Sequence, residues 1–173
     1  MGTQEHESLF RQWLAEHLGL LIKVARSFAD SASDTDDLLQ EVLLQVWISL
    51  PNYRAESKPT TWLYRVALNT GLAWKRREVK HRRRRADMHP AVVAEAAASP
   101  DDRAANRETI DRMYAAIREL EPAGRALVLL YLDGLSYAEM AEVIGISENN
   151  IGVRLNRIRK QLAEALKGRE DVA

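Results

Sequence analysis

This sequence predicts an all-α fold: two small helical domains joined by a flexible linker. Three observations carry that reading. Apolar residues recur at helical spacing along most of the 173-residue chain, and nothing alternates over enough residues to read as a sustained strand. The composition breaks once, from about Ala86 to Arg103, where two prolines and many alanines replace the large aromatic side chains. Further on, two helical segments meet at a glycine in the manner of a helix-turn-helix. The expected boundaries are 5–85 for the first domain, 86–102 for the linker and 103–168 for the second domain.

Taken in order, residues 5–28 set Leu9, Phe10, Trp13, Leu14, Leu18, Leu21, Ile22, Ala25 and Phe28 along one helix, with a break expected at Gly19. Ser33 or Asp34 is the expected cap of a second helix, which runs to about Leu50 before Pro51-Asn52 ends it. Ser57 and Pro59 open a third, since proline is tolerated in a first turn. Its Trp62, Leu63, Val66, Ala67, Leu68 and Leu72 pass into a basic run. The segment HPAVVAEAAASPDD reads as the tether. Helices are then expected over 103–120 and over 122–132, the latter opened by Pro122.

The stretch LDGLSYAEMAEVIGISENNIGVRLNRIRK, residues 132–160, is the most informative. Ser136 and Glu139 have the spacing of a capping box, and Ala141 leaves room for a crossing helix. Gly145 supplies the left-handed residue that ends the first helix. Ser147 caps the next, whose Ile151, Leu155, Ile158, Leu162 and Leu166 form a buried stripe. At 100° per residue, Asn149, Val153, Asn156 and Lys160 point away from that stripe, flanked by Gly152, Arg154, Arg157 and Arg159. A face of this kind can enter a major groove; an ordinary surface helix closing a small bundle is the competing reading.

Charge favours the first. The formal net charge is zero, yet residues 71–90 carry eight Lys/Arg against Glu78 and Asp87, and residues 151–173 carry six against Glu164, Glu170 and Asp171. Two basic patches point to two contacts with phosphate backbone. There is no cysteine, which removes disulfides and thiolate metal sites and fits a reducing compartment. MGTQEHESLF lacks a basic start followed by an apolar run, so no secretory signal is expected. Nor is any apolar segment long enough for membrane insertion. The histidines (His6, His17, His81 and His89) have no ligand partners at helical spacing, and Gly-rich phosphate loops are missing. Asp34, Asp36, Asp37 and Glu41 suggest either a metal cluster or helix capping, and capping is the simpler account. No enzymatic activity, metal or cofactor is expected.

The segments DTDDLLQEVLLQVW and NYRAESKPTTWLYRVALNTGLAWKRR, followed by the helix-turn-helix, resemble the bacterial RNA polymerase sigma factors, specifically the extracytoplasmic-function (ECF) subfamily of the sigma-70 family. The resemblance runs from about residue 8 to residue 167. It implies that Asp37, Gln40 and Glu41, at helical i, i+3 and i+4, dock on core polymerase through the clamp helices of its largest subunit, with the flap of the second subunit as a further contact. It implies that TTWLYRVALN recognises and melts the minus-ten element. There Trp62 would stack an unpaired base, Asn69 would read an extruded one, and Arg65, Lys75, Arg76 and Arg77 would follow phosphates. Trp62 is equally readable as core packing. In the second domain Asn149, Val153, Arg154, Asn156, Arg157 and Lys160 form the expected minus-thirty-five face.

Two departures matter. Pro59 stands where the family has an aromatic or aliphatic residue. Gly152 and Val153 stand where basic and hydroxyl residues are frequent, so the preferred upstream sequence cannot be borrowed from relatives. Asparagine suits adenine and a valine methyl suits thymine, which predicts A·T pairs read by Asn156 and Val153 with the arginines on phosphate. The expected partners are core RNA polymerase, promoter DNA and an anti-sigma factor, for a cytoplasmic protein that is a monomer when free. The alternative is a sigma-like mimic that binds an anti-sigma factor without productive DNA binding; Arg154, Arg157 and the 75–85 run argue against it.

Overall fold

The structure, a computed structural model, describes the backbone of residues 3–86 and 104–170 and the side chains of residues 4–81 and 109–164. The expected tether from residue 87 onward, and the side chains of Arg82, Arg83, Arg84, Arg85 and Leu166, lie outside these. Among the described residues the elements are helical throughout: α1 (Thr3–Phe28), α2 (Ala32–Ser49), a 3-10 turn (Leu50–Asn52), α3 (Pro59–Ala86), α4 (Ala104–Glu119), α5 (Pro122–Leu132), α6 (Tyr137–Ile144) and α7 (Glu148–Glu170). The fold is all-α, as the periodicity predicts.

Helices α1, α2 and α3 pack on one another as a three-helix bundle. Its centre is Leu21, Val24 and Phe28 from α1, Leu38, Val42 and Val46 from α2, and Leu63, Ala67 and Leu68 from α3, all buried. Contrary to expectation, α1 runs unbroken through Gly19, whose absent side chain would face open space. A mid-helix glycine costs only about 1 kcal/mol relative to alanine, and the buried residues on either side outweigh it. The cap of α2 is also not the expected one. Ser31 fills that role: its Oγ accepts from the backbone N–H of Asp34 at 3.0 Å and donates to the Asp34 carboxylate at 2.7 Å. Asp34 is thus held as part of a helix cap.

Pro59 occupies the first position of α3, where its missing N–H is not needed. The loop before it holds Ala55 at φ 56°, and the Tyr53 hydroxyl donates to the Ser57 carbonyl at 2.6 Å. Where α3 crosses α1, Gly71 lies against the Phe28 ring, with an ideal Cβ only 2.9 Å from Phe28 Cγ. Only glycine permits that approach.

In the second unit Ile117, Leu127, Leu130, Met140, Ile151 and Leu155 are buried together. The capping box of α6 is fully formed, with Ser136 accepting from the Glu139 N–H and the Glu139 side chain accepting from the Ser136 N–H. Gly145 follows at φ 80°, a left-handed conformation that sets the angle between α6 and α7.

The two units are packed together: α4 and α5 lie on α1, and α5 and α6 lie on α3. Their buried side chains join into one cluster. Polar contacts reinforce this seam. Arg26 pairs with Asp111 at 2.9 Å and lies 4.4 Å from the Tyr114 ring centroid. Lys23 and the Tyr64 hydroxyl both engage Asp133. Arg125, buried, donates to the carbonyls of Leu120, Ser27 and Arg118, and burial lowers its pKa below the usual arginine value.

Candidate nucleic-acid interface

The face predicted on α7 is presented as drawn from the sequence. Ile151, Leu155 and Ile158 are buried, which turns Asn149, Val153, Arg154, Asn156, Arg157 and Lys160 outward, all exposed. Val153 is 64% exposed, an apolar side chain on an otherwise polar side of the helix. The Ser147 cap is long, its Oγ 3.4 Å from the Asn150 nitrogen. The side chains of Asn149 and Asn156 make no hydrogen bond among the described residues, so their amides are available to a partner.

On α3 the predicted residues divide. Trp62 is half-buried in an aromatic cluster, its ring edge-to-face with Trp13 and with Tyr53, both centroids at 5.6 Å. Asn69 and Arg76 are exposed. Arg65 donates to the Glu142 carbonyl of α6 at 2.9 Å and lies 3.4 Å from its carboxylate. Lys75 is the one predicted phosphate contact that points inward. It is 7% exposed and donates to Asp30 at 2.8 Å and Glu78 at 2.7 Å, joining α3 to the end of α1. A buried ammonium needs such partners, and two carboxylates leave it little reason to seek a third. The resemblance groups it with Arg76 and Arg77, and a run of basic residues does not disclose which one faces the bundle.

Across from these, α2 exposes Asp37 and Gln40, while Glu41 accepts from the Arg77 guanidinium at 2.6 Å on both oxygens. The proposed docking face and the basic end of α3 are therefore directly linked. The structure adds two residues that the sequence reading passed over. Leu44 and Ile48 are 53% and 56% exposed, extending the Gln40 face along the helix. Their place four and eight residues after Gln40 was readable, but they were absorbed into the apolar pattern of the helix.

Lys58, at the mouth of α3, pairs with Glu139 of α6 at 2.7 Å. The Lys58 ammonium, helped by the N–H and hydroxyl of Ser136, holds the Glu139 carboxyl down to about 2. In this arrangement α6 covers the start of α3, holding Lys58 and Arg65 through its acids. No cluster of three or more potential metal ligands occurs among the described residues, and no described helix is long and apolar enough to cross a membrane.

Comparison with known proteins agrees with this division into units. Residues 13–85 match sigma-70 region 2 and residues 110–162 match sigma-70 region 4. The chain is 30% identical over 158 residues to the ECF RNA polymerase sigma factor SigM of Mycobacterium tuberculosis, covering 91% of this chain and 76% of the relative. It is 27% identical over 169 residues to the RNA polymerase sigma factor YlaC of Bacillus subtilis, covering 95% and 94%. In fold it resembles the sigma factor RpoE of Bartonella quintana, solved with the anti-sigma factor NepR, with TM-score 0.71 at 24% identity over 91% of this chain and 96% of that one. It also resembles CnrH, solved with the cytosolic domain of CnrY, with TM-score 0.67 at 23% identity over 94% and 90%.

Proposed function

This chain belongs to the sigma-70 family, in the extracytoplasmic-function group of RNA polymerase sigma factors, and on that premise we propose that it binds core polymerase and directs initiation at promoters carrying its own minus-thirty-five and minus-ten elements. The single observation that carries this reading is the outward face of α7. Two asparagine amides with no hydrogen bond among the described residues and an exposed valine are flanked by Arg154, Arg157 and Lys160, on a helix seated by a capped α6. Amide and methyl groups read base edges, while guanidinium and ammonium groups position the helix on phosphate.

On this account Asp37, Gln40 and Glu41, extended by Leu44 and Ile48, dock on the clamp helices of the largest subunit, and the second unit meets the flap. Trp62 packs and also offers its half-exposed ring to a base, and Asn69, about two turns further along α3, reads one once the duplex has opened. Melting is then capture of unpaired bases by stacking and amide contacts, with no covalent chemistry. Arg76 and Arg77 follow the backbone; Lys75 braces α3 from within. Arg65 reaches phosphate only after releasing Glu142, so promoter engagement requires α6 to leave α3. An anti-sigma factor accompanies RpoE of Bartonella quintana in its solved complex, and we extend that class of partner to this chain.

The test is selection from randomised duplex DNA by core polymerase with and without this chain. Enrichment of a two-part motif only in its presence supports the proposal. A chain that binds core but enriches nothing would leave the mimic reading in its place.

A further inference from the structure

The recognition face contains one position without a side chain, Gly152, and another helix fills the space. An ideal Cβ on Gly152 would lie 3.4 Å from Cε2 of Tyr137, the first residue of α6. The tyrosine ring therefore rests against the backbone of α7 on the flank of the outward face. It remains 43% exposed and its hydroxyl has no hydrogen bond among the described residues. Tyr137, Glu148, Asn149, Gly152, Val153 and Asn156 together line an open hollow. Core packing does not require an aromatic residue here, because α6 meets the core through Met140 and Val143, with Ala141 and Ile144 beside them, and not through Tyr137.

The lining decides what the hollow can hold. Arg154 and Arg157 line the other flank of α7, toward α4 and α5, and Lys160 lies one turn beyond Asn156, so the outward face as a whole attracts DNA. Glu148 belongs to the hollow itself, and a carboxylate there disfavours a phosphate, which leaves a base edge as the fitting occupant. Apolar surface is offered by the Tyr137 ring and the Val153 methyls, while the Asn149 and Asn156 amides supply hydrogen bonds beside it. The apolar group that a major groove presents is the thymine C5-methyl.

We propose that Tyr137 is a specificity-determining residue: its ring and Val153 form the two walls of a slot for the C5-methyl group of one thymine in the upstream promoter element, and Gly152 keeps the slot open. The proposal rests on α7 being the recognition helix. A basic side chain at position 152 would lie over the ring and cover the slot, so the glycine and the tyrosine act as a pair. Either alone would leave no cavity of this shape.

The experiment uses holoenzyme reconstituted from core polymerase and the full chain. Once its preferred upstream element is selected, each thymine is replaced in turn by deoxyuridine, which removes only the methyl group. Wild type is expected to lose about four-fold in binding at one position, the worth of one buried methyl group. Tyr137→Ala and Gly152→Arg are each expected to bind thymine and deoxyuridine equally at that position, whereas Tyr137→Phe keeps the difference. The two variants reach the slot from opposite walls, and Tyr137 is exposed enough for its truncation to leave the fold intact. If wild type selects an element but no thymine shows a methyl effect, or if both variants retain it, the slot is refuted while the recognition-helix reading stands. If wild-type holoenzyme selects no upstream element, the recognition-helix reading falls and takes the slot with it.

Discussion

Two glycines inside helices should respond to the same substitution with different outcomes, because their surroundings differ. Alanine gains about 1 kcal/mol over glycine in a helix interior, at either position. At Gly152 the new methyl would meet Tyr137 Cε2 at 3.4 Å, an ordinary van der Waals contact, so Gly152→Ala is expected to stabilise by about 1 kcal/mol. At Gly71 it would meet three Phe28 ring carbons at 2.9, 3.0 and 3.3 Å. Phe28 is 0% exposed and held in the bundle, so the ring or the α1–α3 spacing must give. Overpacking of this kind costs about 1–3 kcal/mol, which leaves Gly71→Ala about 0–2 kcal/mol less stable than wild type. The helix gain cancels between the two variants, and their difference isolates the steric cost at about 1–3 kcal/mol. Urea unfolding followed by far-UV circular dichroism would separate the midpoints by about 1 M, given slopes of about 1–3 kcal/mol per M. Trp13, Trp47, Trp62 and Trp74 all lie in α1, α2 or α3, so tryptophan fluorescence reports the bundle that contains Gly71. A Gly71→Ala protein as stable as Gly152→Ala would refute the close crossing of α3 over Phe28.

Docking is tested by the double variant Gln40→Ala, Glu41→Lys: core affinity is expected to fall by about 2–5 kcal/mol if the contact is desolvated, against under about 1 for a rim contact, and unchanged affinity removes α2 from the interface. Asn69→Ala is expected to impair strand opening more than closed binding, and permanganate reactivity of promoter thymines equal to wild type would remove Asn69 from the site. Glu139 has its carboxyl lowered from 4.5 to about 2, chiefly by Lys58, so its contribution to stability is full above about 4.5 and disappears as the pH falls through about 2. Glu139→Gln should therefore flatten the change in stability between about pH 5 and about pH 3, and a variant with the wild-type slope would show that the Lys58–Glu139 contact is not maintained in solution. Arg157→Ala is expected to weaken all promoters alike and to lower the salt slope by about 1, whereas a change in the selected motif would move Arg157 from phosphate to base contact.

Helices were legible in this sequence wherever an apolar stripe coincided with a cap. α5 begins at Pro122 and ends at Leu132, as read from proline and pattern, and α6 carries both halves of its capping box. Reading failed where several local signals competed. Ser31, Ser33 and Asp34 are all good N-caps, and what decides for Ser31 is a hydroxyl that serves Asp34 twice, through its N–H and its carboxylate. Gly19 reads as a break because propensity is local, whereas the burial that carries α1 past it is tertiary. The outward face of α7 was legible for the same reason α7 was: a strict stripe defines its own opposite side. On α3 the pattern is less strict, and Lys75 fell on the wrong side of it. Nothing local could disclose the seam between the two units, because Arg65 with Glu142 and Lys58 with Glu139 are separated by 77 and 81 residues. The role of Tyr137 beside Gly152 was hidden likewise: the glycine was visible as a departure, but not the ring that occupies its place.

The central claim is that this one chain confers promoter choice on core polymerase, and single-round run-off transcription tests it most directly. Core polymerase alone and core with the chain are supplied with a template bearing the selected two-part motif and with one in which that motif is scrambled. The account predicts a discrete run-off product only from the intact motif and only with the chain present, and its loss when Asn149, Val153 and Asn156 are replaced together by alanine. A product independent of the motif, or undiminished in that triple variant, would contradict it.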